Sequence, residues 1–151
     1  MRAVLQRVSK AAVEIGGVVK AEISTGFLIF LGIEHDDDKT DAEWLCNKIN
    51  AMRIFSDNEG KMNLSIGEID RGAFLVISQF TLHASTKKGN RPSFIKAARP
   101  EIAIPLYEYF IFRLREISGL TIESGEFGAD MKVSILNDGP VTIIIDSKNR
   151  E

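Results

Sequence analysis

Two short segments flanking a helical stretch hold the residues of this chain best suited to chemistry. They are Ser78-Gln79-Phe80-Thr81-Leu82 and Asn137-Asp138-Gly139-Pro140-Val141-Thr142. Each is expected where a buried strand meets a turn, and each sets polar backbone beside hydroxyl or amide side chains. In the second, glycine supplies dihedrals closed to other residues, while proline fixes φ and removes a donor. An X-Pro bond is also the only kind that is often cis, and the isomer cannot be read from the sequence.

A hydroxyl nucleophile needs an activating base. The only histidines are His35 and His83. His83 lies just past Thr81-Leu82, but a lone loop histidine without an orienting carboxylate nearby reads as a surface residue. An esterase pairing Ser78 or Thr81 with His83 therefore stands only as an alternative. There is no Gly-x-Ser-x-Gly elbow, no phosphate-cradling glycine loop and no metal-spaced pair of histidines. Asp36-Asp37-Asp38 matches no calcium loop and reads as a solvated turn before a helix. No metal site is expected.

The elements that must position these segments follow from patterning. Met1 to Val8 and Ala12 to Ile15 read as strand, Gly16-Gly17 as a two-residue hairpin turn, and Val18 to Ile23 as the return. Phe27 to Ile33 and Ala73 to Ile77 are apolar runs that start at or next to a glycine, the pattern of strands buried on both faces. A first helix is expected from about Thr40, with Thr40-Asp41-Ala42-Glu43 as its capping box and Ala42, Leu45, Ile49 and Met52 on one face. Lys61 to Ile66 reads as a short extended piece. A second helix is expected from about Ile102 to Ser118, with Pro105 in its first turn, Gly119 at its end and Ile102, Leu106, Tyr109, Phe110, Leu114 and Ile117 as its stripe. Leu120 to Glu123, Lys132 to Leu136 and Val141 to Ile145 read as strands, and the tail from Ser147 as frayed. The fold class is α/β: a single domain over residues 1–151 with a mixed or antiparallel, barrel-like sheet and about two main helices.

Bulk properties bound the function. The chain has 151 residues, 44% of them apolar and 26% charged, with a net charge of −2. That is an ordinary globular composition with no bulk basic signature, so any nucleic acid must be met by a local patch. Lys87, Lys88, Arg91, Lys96 and Arg99 supply one beside the first segment. The single Cys46 excludes an intrachain disulfide and reads as a small core residue. No signal-like leader opens the chain, and its longest apolar run is too short for a bilayer. A cytoplasmic protein with no membrane partner is expected.

Taken together and in order, these segments resemble the two signature motifs of the D-aminoacyl-tRNA deacylase family. Met1 to Val8, Lys61-Met62-Asn63-Leu64-Ser65, Arg91-Pro92-Ser93-Phe94 and Gly128-Ala129-Asp130-Met131 also fall at family-like positions, so the likeness spans essentially the whole chain. The resemblance implies that family's fold and an esterase acting on D-aminoacyl-tRNA, with mischarged glycyl-tRNA a further substrate. It implies a site in which Ser78, Gln79, Phe80 and Thr81 serve catalysis, the Phe80 and Thr81 amides facing the scissile carbonyl. Gly139 and Pro140, as a cis pair lent by the second subunit of a homodimer, would test handedness. Arg7 would fix that pair and Met131 would lie near the terminal adenine. By their charge rather than by the resemblance, Lys87, Lys88 and Arg91 would hold the acceptor 3′ end, and no metal or organic cofactor is implied. With no base evident, Thr81 reads as a positioning group rather than a nucleophile. A non-catalytic RNA-binding translation module is the second alternative.

Overall fold

In a computed structural model, which describes residues 1–150, the chain forms eight strands and two α-helices. Strand β1 (Arg2–Ile15) turns through Gly16-Gly17 into β2 (Val18–Ile23), with both glycines at positive φ, 58° and 81°, as a two-residue hairpin requires. Strand β3 (Gly26–Gly32) pairs antiparallel with the first half of β1, and β6 (Ala73–Ser78) and β7 (Thr121–Ser124) then add in parallel. Strand β8 (Met131–Asp146) runs along the other edge of β1 for its whole length. Strands β4 (Phe55–Ser56) and β5 (Met62–Leu64) form a separate small ribbon. Because β2 packs back near β6 and β7, the main sheet nearly closes into a barrel.

Helices α1 (Lys39–Ala51) and α2 (Pro100–Ser118) pack on each other and cover one face of the sheet. The core therefore has two layers. Phe27, Ile29, Phe74 and Val76 meet Leu45, Ile49 and Phe110 under the helices. Leu28, Leu75 and Ile77 point the other way, into the curled sheet with Val8, Ala11 and Val13. Burial of β3 and β6 on both faces is what their unbroken apolar runs require. No helix among the described residues is long and apolar enough to cross a membrane.

Several local expectations shift. The cap of α1 is Asp38, whose carboxylate accepts from the Thr40 amide at 2.8 Å while Asp41 answers to the Asp38 amide at 3.0 Å. An anionic acceptor at a helix N-terminus outcompetes the Thr40 hydroxyl, which itself bonds to Asp38. The acidic turn is not all solvated. Asp37 is buried and receives the Met1 ammonium at 2.5 Å, and that ammonium also donates to Ser147 Oγ at 2.9 Å. The tail at Ser147 and Lys148 is thus anchored rather than frayed, with Lys148 Nζ 2.9 Å from Asp41. Pro100 opens α2, which places Pro105 in the second turn on the exposed side. The buried stripe becomes Ala103, Leu106, Tyr107, Phe110 and Leu114, leaving Ile102 exposed and Tyr109 half-buried.

Candidate active site

The carboxyl ends of parallel strands are where open α/β sheets leave room for ligands, and the first motif lies there. Ser78 ends β6 opposite Leu31 of β3, and the Gln79 amide donates to the Leu31 carbonyl at 2.8 Å. The chain then turns into a short 3-10 helix, Phe80–His83. A cleft of about 250 Å³ opens at this point, lined by Ser78, Gln79, Phe80, Leu31, Phe127 and Met131.

Helical starts leave amides without internal partners. Among the described residues, the Phe80 and Thr81 amides have no backbone acceptor, whereas those of Gln79, Leu82 and Ala84 all do. Two N–H groups are therefore left for an external acceptor at the rim of the cleft. The Thr81 hydroxyl, exposed just outside the lining, accepts from the Gln79 side-chain amide at 2.5 Å. Beneath the motif, Arg2 donates to the Leu82 carbonyl at 3.1 Å and pairs with Asp146 at 2.6 Å. Burial opposes the Asp146 charge, but Arg2 and the amides of Lys148 and Asn149 outweigh it and hold the carboxyl below its usual range.

His83 is buried, not a surface residue, and neither ring nitrogen has a hydrogen-bond partner among the described residues. Its Nδ1 is 3.9 Å from Glu34, and no contact joins it to Ser78 or Thr81. Cys46 is buried as well, its thiol turned to the Phe110 carbonyl, and burial pushes its pKa up to about 12. Neither group is placed to activate a hydroxyl.

The second motif is not a turn between two strands. Strand β8 runs straight through it, and four residues, Asp138 to Val141, bulge out opposite Arg7 alone before pairing resumes at Gln6 and Thr142. The Gly139-Pro140 bond is cis and exposed, and Gly139 has φ 125°. A bulge leaves its extra residues unpaired in the ladder, so its backbone needs polar anchors. Buried Arg7 supplies them, donating from Nε to the Asp138 carbonyl at 3.1 Å and from Nη1 to the Ile54 carbonyl at 2.6 Å.

The model of the D-Tyr-tRNA(Tyr) deacylase family matches residues 4–146. The chain belongs to that family. It is 64% identical over 151 residues to the D-aminoacyl-tRNA deacylase of Akkermansia muciniphila, and 62% identical to one from Bacteroides fragilis, with 100% of each chain covered in both cases. A solved structure described as a c-Myc DNA Unwinding Element Binding Protein superposes with TM-score 0.90 at 40% identity, covering 97% of this chain and 98% of that one. A probable eukaryotic D-amino acid tRNA deacylase shares the fold, with TM-score 0.82 at 17% identity over 95% and 97% of the two chains.

Within this deacylase-family chain the two motifs do not meet. Arg7 pairs with Phe27, and Phe27 with Phe74, so the bulge lies three strands across and four residues back from Ser78. At ordinary strand spacings that is about 20 Å. The structure brings Ser78, Gln79, Phe80 and Met131 to the cleft, with Thr81 at its edge, and leaves Arg7, Gly139 and Pro140 elsewhere. Lys87, Lys88 and Arg91 are exposed on the following loop with no carboxylate partner among the described residues. Sequence reasoning missed Leu31 and Phe127 of the cleft and the anchors Arg2 and Ile54. Parallel pairing of the two apolar runs was the available signal for Leu31.

Proposed function

We propose that this protein hydrolyses the ester of D-aminoacyl-tRNA, releasing free tRNA and the D-amino acid. The observation that carries the reading is the pair of unpartnered amides at Phe80 and Thr81 beside an apolar cleft, in a member of this family. An aminoacyl ester is already activated by its vicinal ribose hydroxyl, so the enzyme must hold it, stabilise the developing oxyanion and admit water. Preorganised backbone donors contribute about 10²–10³ each to such a step. Gln79 keeps the Thr81 hydroxyl occupied, which supports a positioning role for Thr81.

Chiral selection is assigned to a second copy of the chain. In a two-fold homodimer an exposed bulge on one copy can enter a cleft on the other, and the arrangement repeats by symmetry. The Gly139-Pro140 backbone would then face the substrate's α-carbon and exclude an L side chain. Rigid backbone set against the wrong hand is rejection by clash. Glycyl esters, which carry no side chain to clash, fall within reach of the same site. Arg7 holds the bulge, Met131 lies where the terminal adenine enters, and Lys87, Lys88 and Arg91 face the acceptor end. The reading places the enzyme in the cytoplasm with its tRNA and calls on no metal or organic cofactor.

The test is hydrolysis of matched D- and L-aminoacyl-tRNA by the same preparation. Release from the D form alone, or from D and glycyl forms, is expected. Equal cleavage of both hands, or of neither, overturns the reading.

A further inference from the structure

We infer that the loop after the first motif carries a stacking platform for the single-stranded nucleotides that precede the esterified 3′ nucleoside. This inference rests on the deacylase reading and extends it to a surface outside the cleft. Phe80 and Phe94 pack edge to face, with ring centroids 5.1 Å apart, at the mouth of the cleft. Phe80 is nonetheless 54% exposed, Phe94 37%, and the adjoining Ile95 84%.

This exposure is not that of a loose loop. The Ser85 and Ser93 backbones bond to each other in both directions at 2.8 and 2.9 Å. The Ala97 amide closes a turn onto the Phe94 carbonyl at 3.0 Å, and the Ala98 amide is tied to Ile33 at 2.9 Å. His35 Nε2–H donates to the Ile95 carbonyl at 3.1 Å. Three apolar side chains are thus held outward on a fixed frame, which marks an interaction surface more than a packing remnant.

Charge selects the occupant. Between Ala84 and Arg99 the chain has five cations, Lys87, Lys88, Arg91, Lys96 and Arg99, and no carboxylate. An isologous contact of this patch with itself would set those cations against one another, so the patch lies beside the contact by which a second copy's bulge reaches the cleft, not within it. A single-stranded polynucleotide suits both features, with bases stacking on the rings and phosphates meeting the cations. The cleft takes the ester and its nucleoside, and the platform takes the nucleotides before them.

Two substrates separate this surface from the cleft, D-tyrosyl-tRNA and the short ester D-tyrosyl-adenosine, which cannot reach the platform. Relative to the intact protein, Phe94→Ala and Ile95→Ser should each lower the ratio of kcat/KM for the tRNA to kcat/KM for the short ester by about tenfold, through KM. Phe94→Trp should preserve the ratio. In parallel, binding of a short RNA with the tRNA 3′-terminal sequence should weaken about tenfold in both loop variants. An unchanged ratio with unchanged RNA binding overturns the platform, as does an equal loss on both substrates, which would make Phe94 only a prop for Phe80. A change in solution mass in the Ile95→Ser variant overturns it in favour of a contact between copies. If the intact protein cleaves neither substrate, the deacylase reading fails, and the RNA-binding arm still decides whether the platform exists.

Discussion

Arg7 and Asp138 face each other across a gap in the sheet. The guanidinium Nε of Arg7 lies 3.1 Å from the Asp138 carbonyl and 3.2 Å from its carboxylate, while Nη1 reaches the Ile54 carbonyl at 2.6 Å. One buried side chain thus ties the exposed bulge of β8 to the chain segment after α1. Arginine suits this role because its planar fork donates in several fixed directions, where lysine offers a point charge.

Arg7→Lys should therefore keep the fold and lower kcat/KM for D-aminoacyl-tRNA about tenfold, since a hydrogen bond involving a charged group contributes about 1.5–3 kcal/mol. Gly139→Ala should be more severe. Its Cβ would sit 2.8 Å from Val141 Cγ2 and 3.0 Å from Arg7 Nη2, at a φ of 125° that side chains rarely adopt. A displacement of about 1 Å in a positioning element costs about 10²-fold in rate. Paired melting curves and D-versus-L hydrolysis check both variants, and a collapsed melting curve would mean that the bulge is part of the core.

Thr81→Ala should retain activity within about tenfold. Loss of a true hydroxyl nucleophile costs about 10⁶-fold, so a single-turnover assay separates the roles without ambiguity.

His83→Leu should be neutral or stabilising and should leave hydrolysis within about tenfold. Neither ring nitrogen gains a hydrogen bond from burial, and replacing a buried unpaired polar group with an apolar one of similar shape removes a desolvation cost. Chemical denaturation and the same hydrolysis assay are the measurements. A complete loss of turnover with an intact fold would restore His83 as a base.

Stability should peak between about pH 4 and about pH 8.5, because above the latter the unfolded Cys46 thiol ionises while burial keeps the folded one protonated. Burial opposes the charges of Asp41 and Asp146, yet Lys148, Ser147 and the Asp38 amide outweigh it for the first, as Arg2 and backbone amides do for the second, and both pKa values fall. A depressed carboxylate contributes fully above its unfolded pKa, about 4, and that contribution is lost as pH drops through the lower folded value. Lys148 is raised, chiefly by its hydrogen bond to Asp41, so its contribution is present below about 10.4 and is lost as pH rises beyond that. Lys148→Met should flatten the alkaline limb of the melting temperature above about pH 10.4 and soften the acid one.

Much of the fold was legible because it rests on local pattern. Gly16-Gly17 demands a hairpin, and the unbroken runs at Phe27 and Ala73 demand strands covered on both sides. What was not legible depends on partners distant in the chain. Asn137 to Thr142 carries every mark of a turn, and only pairing with β1 on both sides makes it a bulge in one continuous strand. His83 has the sequence surroundings of a surface loop, yet Gly32 and Glu34 of the β3 end enclose it. Asp37 looks like one more solvated carboxylate until Met1 is brought to it. The first motif was found as a segment, but its unpartnered amides follow from the 3-10 turn, which no residue in it announces.

Strand β1 leaves the ribosome long before β8, and it needs β8 along its full length from Arg2–Asp146 to Ile15–Met131. At synthesis rates of about 5–20 residues per second, that edge waits on the order of ten seconds for its partner. An unpaired apolar edge is a template for the wrong strand. For this chain the hazardous interval comes during translation itself, and slow synthesis should lower the yield of folded protein more than brief heating of the finished molecule does.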